Sequence, residues 1–202
     1  MEKERKRIFN TKFIVRAGIF SAMAALLYIF VKFPLPIFPV FLELHFDEVP
    51  IFIASFAYGP LLGFVVLVVK TIIKLPFTNT LCVGELADFL YSFVFIIPAS
   101  IIYTKKRCFK SVLIGFAIGS VLQLIVSLIF NIYVMIPFYS VVFGLNKEAI
   151  LAMAQSANGK IVNVRWSLGL FAILPFNLLK DACVILLTIP TYKSLHRLID
   201  KI

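Results

Sequence analysis

Charge is scarce in this chain, and acid is scarcest. Of 202 residues only 15% are charged, with 10 Asp+Glu against 20 Lys+Arg. A soluble domain carries about 25% charged and about 45–50% apolar residues. Here 61% are hydrophobic, more than one soluble domain of this length could bury, which excludes a water-soluble globule. The richness in aromatics excludes disorder. Histidine is limited to His45 and His196 and cysteine to Cys82, Cys108 and Cys183. With no CxxC pair and no Cys/His cluster, no metal is expected. The P-loop pattern is absent, so the chain does not itself hydrolyse ATP in that way. HExxH and GxSxG are absent too, and nothing resembles a nucleophile with its base. The expectation is a non-enzyme without cofactor. No repeat or low-complexity tract divides the chain, which reads as one domain, 1–202.

What the sequence has is long apolar runs. A membrane span needs about 20 such residues. The first runs from Phe13 to Phe33 and is too long for a signal-peptide core, so it reads as a retained helix. A proline-studded apolar loop follows, from Pro34 to Phe46. A short helix is expected from Asp47-Glu48 to Tyr58, closed by Gly59-Pro60. Further helices are expected over Leu61–Leu75, Glu85–Tyr103, Ser111–Met135 (ending before Pro137) and Ser167–Ile189 (stopped by Pro190). Between the last two, Asn146 begins a short capped surface helix. The fold class is therefore all-α: a polytopic membrane protein, a six-helix bundle with an apolar plug loop between helices 1 and 2.

Six spans put both termini on one side. That side carries Lys3, Arg5, Lys6, Arg7, Lys12 and Arg16, then Lys105, Lys106, Arg107 and Lys110, then Lys193, Arg197 and Lys201. Lys and Arg gather on cytoplasmic loops, so both termini are expected in the cytoplasm. This accounts for much of the +10 net charge without nucleic acid.

Polar residues inside spans are costly and point to function. Asn131 lies in the fifth helix; Asn177, Lys180 and Asp181 lie in the sixth. Spacing puts Asn177, Lys180 and Asp181 on one face, with Lys180 roughly 16–20 Å deep. It needs a counter-charge, a wet cavity or a ligand, and Asp88 or Glu85 would serve as counter-charge. These residues either bind a ligand or only tie helices together. The loop Pro34–Phe46 either plugs the outer mouth, with Phe38, Phe41 and Phe46 free to stack on a flat ligand, or lies in the headgroup layer. On helix 1, Gly18-x-x-x-Ala22 and Ala17-x-x-x-Ser21-x-x-x-Ala25 permit close approach of another helix, inside the bundle or from a partner. A lone loop histidine such as His45 is more often solvated than catalytic.

These residues resemble a known family. Ser21-Ala-Met-Ala24, Lys32-Phe-Pro-Leu-Pro36, Leu42-x-Leu-x-Phe46-x-x-Val-Pro50, Gly59-Pro60, Lys70, Val83-Gly84, Phe130-Asn131 with Pro137, and Asn177-x-x-Lys180 resemble the substrate-binding S component of energy-coupling factor (ECF) vitamin transporters, in its riboflavin-binding type. The family's helix-1 pattern is Ala-x-x-x-Ala, where Gly18-x-x-x-Ala22 stands here. The resemblance implies riboflavin as ligand. Asn131, Asn177 and Lys180 would read the uracil-like edge of its ring, and Phe41, Leu42, Glu43, Leu44, Phe46 and Asp47 would cover it from the loop. Flavin phosphates would meet Glu43, Asp47 and Glu48 at the mouth. It also implies docking of Gly18, Ala22 and Ala25 onto a transmembrane coupling subunit with two ATPase subunits in the plasma membrane. Two other readings remain: an S component for thiamine or pantothenate, and a small membrane enzyme using Lys180 and Asp181 as acid and base.

Overall fold

The computed structural model describes residues 10–39, 41–78, 80–142, 144 and 146–199. Lys3, Arg5, Lys6, Arg7 and Lys201, which weigh in the orientation expected above, lie outside the described residues. Five helical stretches are long and apolar enough to cross a membrane: Thr11–Phe30, Pro60–Phe77, Val83–Lys105, Phe109–Val142 and Trp166–Tyr192. They comprise α1 (Thr11–Phe30), α3 (Pro60–Lys74), α4 (Val83–Lys105), α5 (Phe109–Phe130) with α6 (Ile136–Val142), and α8 (Trp166–Leu168) with α9 (Leu174–Ile199). The sixth bundle helix, α2 (Glu48–Tyr58), has 11 residues. That is about 16 Å, half of a hydrocarbon core of about 30 Å. From Glu48 to Phe56 all but Val49 are buried, as suits a helix apolar all round. The surface helix α7 (Lys147–Ala157) starts as expected, with the Asn146 side chain accepting from the Ala149 N–H at 2.8 Å.

Two proline stops expected from sequence are not stops. The α5 helix continues through Pro137 to Val142, by way of a π-helical turn at Asn131–Met135. Widening the ladder ahead of Pro137 accommodates the missing N–H and the ring that would strike the preceding turn. Pro190 likewise lies inside α9, beyond a second π turn at Gly169–Ile173. The plug is also more ordered than an irregular loop. Strands β1 (Lys32–Pro34) and β2 (Glu43–His45) pair antiparallel, with Lys32 opposite His45 and Pro34 opposite Glu43. The ion pair Lys32–Glu43, at 3.0 Å, spans the two strands.

An aromatic core fills the end of the bundle nearer the termini. Phe52 meets Phe95 and Phe116 at centroid distances of 4.8 and 4.9 Å, and Phe56 meets Tyr103 at 5.0 Å. The Tyr103 and Tyr192 hydroxyls share a 2.8 Å hydrogen bond. With that end packed solid, open space is left at the opposite end, beneath the β hairpin and α7.

Candidate functional site

A cavity of about 420 Å³ opens there, within the range of roughly 300–1,000 Å³ typical of small-molecule sites. Its wall takes Tyr28 from α1, Glu85, Asp88 and Tyr91 from α4, Asn131 and Met135 from the first π turn, and Phe176, Asn177 and Lys180 from α9. Phe41, Leu42, Glu43 and His45 come from the plug, and Ile150 and Met153 from α7. The two π turns flank the site: one begins at Asn131, and the other ends four residues before Asn177. Such bulges re-aim side chains and recur at functional sites.

The sequence-selected polar residues converge. Asn131 donates both amide hydrogens to protein, to the Tyr91 hydroxyl and the Ser127 carbonyl, each at 2.8 Å. Its carbonyl oxygen is left for the cavity. Asn177 accepts from Gln123 at 3.5 Å and donates to the Ile173 carbonyl at 2.9 Å, so one N–H remains. Lys180 is 3% exposed and its ammonium lies 3.2 Å from Glu48 and 3.4 Å from Asp88. Of the two counter-charges expected, Asp88 is the partner and Glu85 is not.

The plug residues divide. Phe41, Leu42 and Glu43 line the cavity, whereas Leu44, Phe46 and Asp47 do not. Leu44 is buried within β2 of the hairpin, and Phe46 packs on Phe33 at 6.4 Å. Phe38 reaches the site at second hand, edge-on to Phe176 at 5.3 Å. Asp47 and Glu48, expected at the mouth, are fully buried.

Those two acids belong to an ion network that sequence reading missed. Lys70 and Lys74, one turn apart on α3, both reach Asp88 (2.8 and 2.6 Å), and Lys70 also pairs with Asp47. His45, far from solvated, is 7% exposed and pairs with Asp47 while its other nitrogen lies 3.4 Å from Lys180. Burial alone would raise the Asp47 carboxyl; Lys70 and His45 outweigh it and hold Asp47 well below the usual carboxylate range. Three ammonium groups face three carboxylates, Asp47, Glu48 and Asp88. Buried charges of this kind are tolerated only when paired. The readable signal was Lys70 and Lys74 at i, i+4 in an apolar run, opposite a helix carrying Asp88.

Asp181 takes no part in the cavity. It is 1% exposed and turned toward Ser120 and Gln123 of α5, and among the described residues no donor reaches either carboxyl oxygen in good hydrogen-bond geometry. Lys180 and Asp181 thus point to different surroundings, and the acid–base pair of the enzyme reading has no common site. On α1, Ala17, Ser21, Ala24 and Ala25 are buried. Ala25 is therefore interior and cannot meet a partner, whereas Gly18 and Ala22 face outward, with open space around Gly18.

Comparison with known proteins agrees with this architecture. The chain is 33% identical over 194 residues to the riboflavin transporter RibU of Staphylococcus aureus (strain TCH60), covering 96% of this chain and 95% of that one. It is 27% identical over 178 residues to the riboflavin transporter FmnP of Bacillus subtilis (strain 168), with 87% of each chain covered. A solved structure described as the S component of a bacterial ECF transporter superposes with a TM-score of 0.72 at 30% identity, covering 93% of this chain and 96% of that one. The family model for the substrate-specific component of ECF transporters matches residues 12–192, and the chain belongs to that family of multi-pass membrane proteins.

Proposed function

We propose that the chain captures riboflavin in the cavity from the outer face of the plasma membrane, with both termini cytoplasmic. It then hands the vitamin on through a transmembrane coupling subunit driven by two ATPase subunits. The observation that carries the ligand assignment is the hydrogen-bond complement left on the wall. The uracil-like edge of riboflavin alternates carbonyl, N–H and carbonyl. Asn131 offers an unused acceptor and Asn177 an unused donor, while Lys180 adds an ammonium on the same wall. A desolvated complement of this type rejects ligands lacking the matching groups. Tyr28, Tyr91, Tyr139, Phe41 and Phe176 supply aromatic surface for the ring system. Thiamine and pantothenate lack the alternating edge.

The test is direct. Protein purified in detergent carries yellow flavin absorbance, or after stripping quenches riboflavin fluorescence on titration. Colourless protein that gives no quenching at micromolar ligand overturns the assignment.

A further inference from the structure

One carboxylate in the cavity wall is built differently from the rest. Glu85, in the first turn of α4, is 4% exposed. Its Oε2 accepts from the Thr78 hydroxyl at 2.7 Å and from the Thr80 hydroxyl at 3.0 Å. Those hydroxyls are themselves held from behind. Thr78 Oγ1 accepts from the N–H groups of Thr80 and Cys82 at 3.1 and 3.0 Å, and Thr80 Oγ1 from the N–H of Gly84 at 3.0 Å. The turn leading into α4 is therefore organised around one oxygen of one carboxylate. The other oxygen, Oε1, has no partner among the described residues, and Glu85 lines the cavity.

Charge sets Glu85 apart as well. The other carboxylates lining the cavity are neutralised: Glu43 by Lys32 at 3.0 Å, Asp88 by Lys70, Lys74 and Lys180. Glu85 has no cation partner among the described residues. A fixed carboxylate oxygen without a partner, on a largely buried side chain, attracts hydroxyl donors, because a hydrogen bond to an ionised acceptor is about twice as strong as a neutral one. It repels anions for the same reason, since like charges brought together out of water cost heavily.

We propose that Glu85 is a specificity-determining residue that takes hydroxyl groups of the ligand's polyol chain and disfavours ligands with a phosphate on that chain. This rests on the riboflavin reading and deepens it: the amide groups of Asn131 and Asn177 select the ring, and Glu85 selects the tail. It replaces Asp47 and Glu48, which the ion network removes from the mouth, as the source of phosphate discrimination.

The experiment titrates three ligands: riboflavin, lumiflavin (the same ring without the polyol) and riboflavin 5′-phosphate. Wild-type protein binds riboflavin about tenfold more tightly than either of the others. In Glu85→Gln, riboflavin affinity falls about tenfold and lumiflavin is unchanged, while the phosphate loses less than riboflavin does. Equal losses for riboflavin and lumiflavin make Glu85 merely structural and overturn the proposal. So does an unchanged ratio of riboflavin to its phosphate. The wild-type comparison needs no variant to fold, and equal affinity for riboflavin and lumiflavin there overturns the proposal on its own. Wild-type protein that binds none of the three overturns the riboflavin reading itself, which is a distinct result.

Discussion

Asn131 and Lys70 are both polar residues on apolar helices, yet their removal has different consequences. Asn131→Ala deletes the free acceptor in the cavity and takes a donor from the Tyr91 hydroxyl and from the Ser127 carbonyl, which keeps the backbone N–H of residue 131. The expected outcome is at least tenfold weaker riboflavin binding at a stability cost of about 1 kcal/mol. Lys70→Met leaves Asp47 with His45 alone and takes from Asp88 one of its three lysines, and breaking a buried pair costs about 3–5 kcal/mol. Thermal unfolding in detergent without ligand, paired with riboflavin titration, separates the two. If Asn131→Ala unfolds as readily as Lys70→Met, Asn131 is a helix tie and not a ligand contact. Lys180 sits in both settings, so Lys180→Ala loses affinity and stability together. Asn131, Asn177 and Lys180 were legible from sequence because mid-span polar groups are conspicuous. Lys70 and Lys74 were not, because lysines near the end of an apolar run ordinarily snorkel to the interface. Only the fold reveals that Asp88 and Asp47 hold them inward. His45 was misread for the same reason: nothing local announces that Asp47 and Lys180 enclose it.

At the level of elements, the helix inventory was largely readable and the helix endings were not. Pro137 resembles a stop until the π turn ahead of it is seen, Pro190 is simply carried inside α9, and no composition signal marks a π turn. Close helix packing was equally hidden. A Cβ placed on Gly119 of α5 would meet the Phe95 carbonyl oxygen of α4, and one on Gly115 would come within 2.9 Å of the Ala99 carbonyl oxygen. These are backbone atoms and cannot swing aside. Both glycines lie outside the small-residue stripe that the sequence drew attention to, on helix 1. Gly119→Ala is therefore expected to wedge α4 from α5 and lower stability by about 1–3 kcal/mol. Gly18→Ala, with nothing within 4 Å, holds or raises the unfolding midpoint, because alanine suits a helix interior better than glycine. The pair is compared in one thermal melt; equal midpoints would show that α4 and α5 separate without cost.

Seen whole, the molecule has two unlike ends: a cavity at one, and at the other a packed aromatic core. Native thiols mark both ends. Cys82 and Cys108, each exposed, flank the 23-residue α4, which sets them about 34 Å apart. In intact cells a membrane-impermeant maleimide should label Cys82 and spare Cys108 until the membrane is permeabilised; the reverse pattern overturns the proposed orientation. In the proposed orientation the packed aromatic core lies at the inner end, so the proposed delivery calls for movement driven by a partner. The surface we propose for that is the outward stripe of α1, where Gly18 and Ala22 stand among exposed Ile14, Ile19, Met23 and Leu26. In lipid, small residues let a second helix approach closely enough for dispersion contacts to hold it. Gly18→Leu and Ala22→Leu are thus expected to leave riboflavin affinity in detergent within about twofold, while abolishing riboflavin uptake and co-purification with the coupling subunits. Ala25→Leu, which overfills the interior, should lower stability by about 1–3 kcal/mol and disturb binding with it. Uptake that survives leucine at both Gly18 and Ala22 would move the docking surface off α1 altogether.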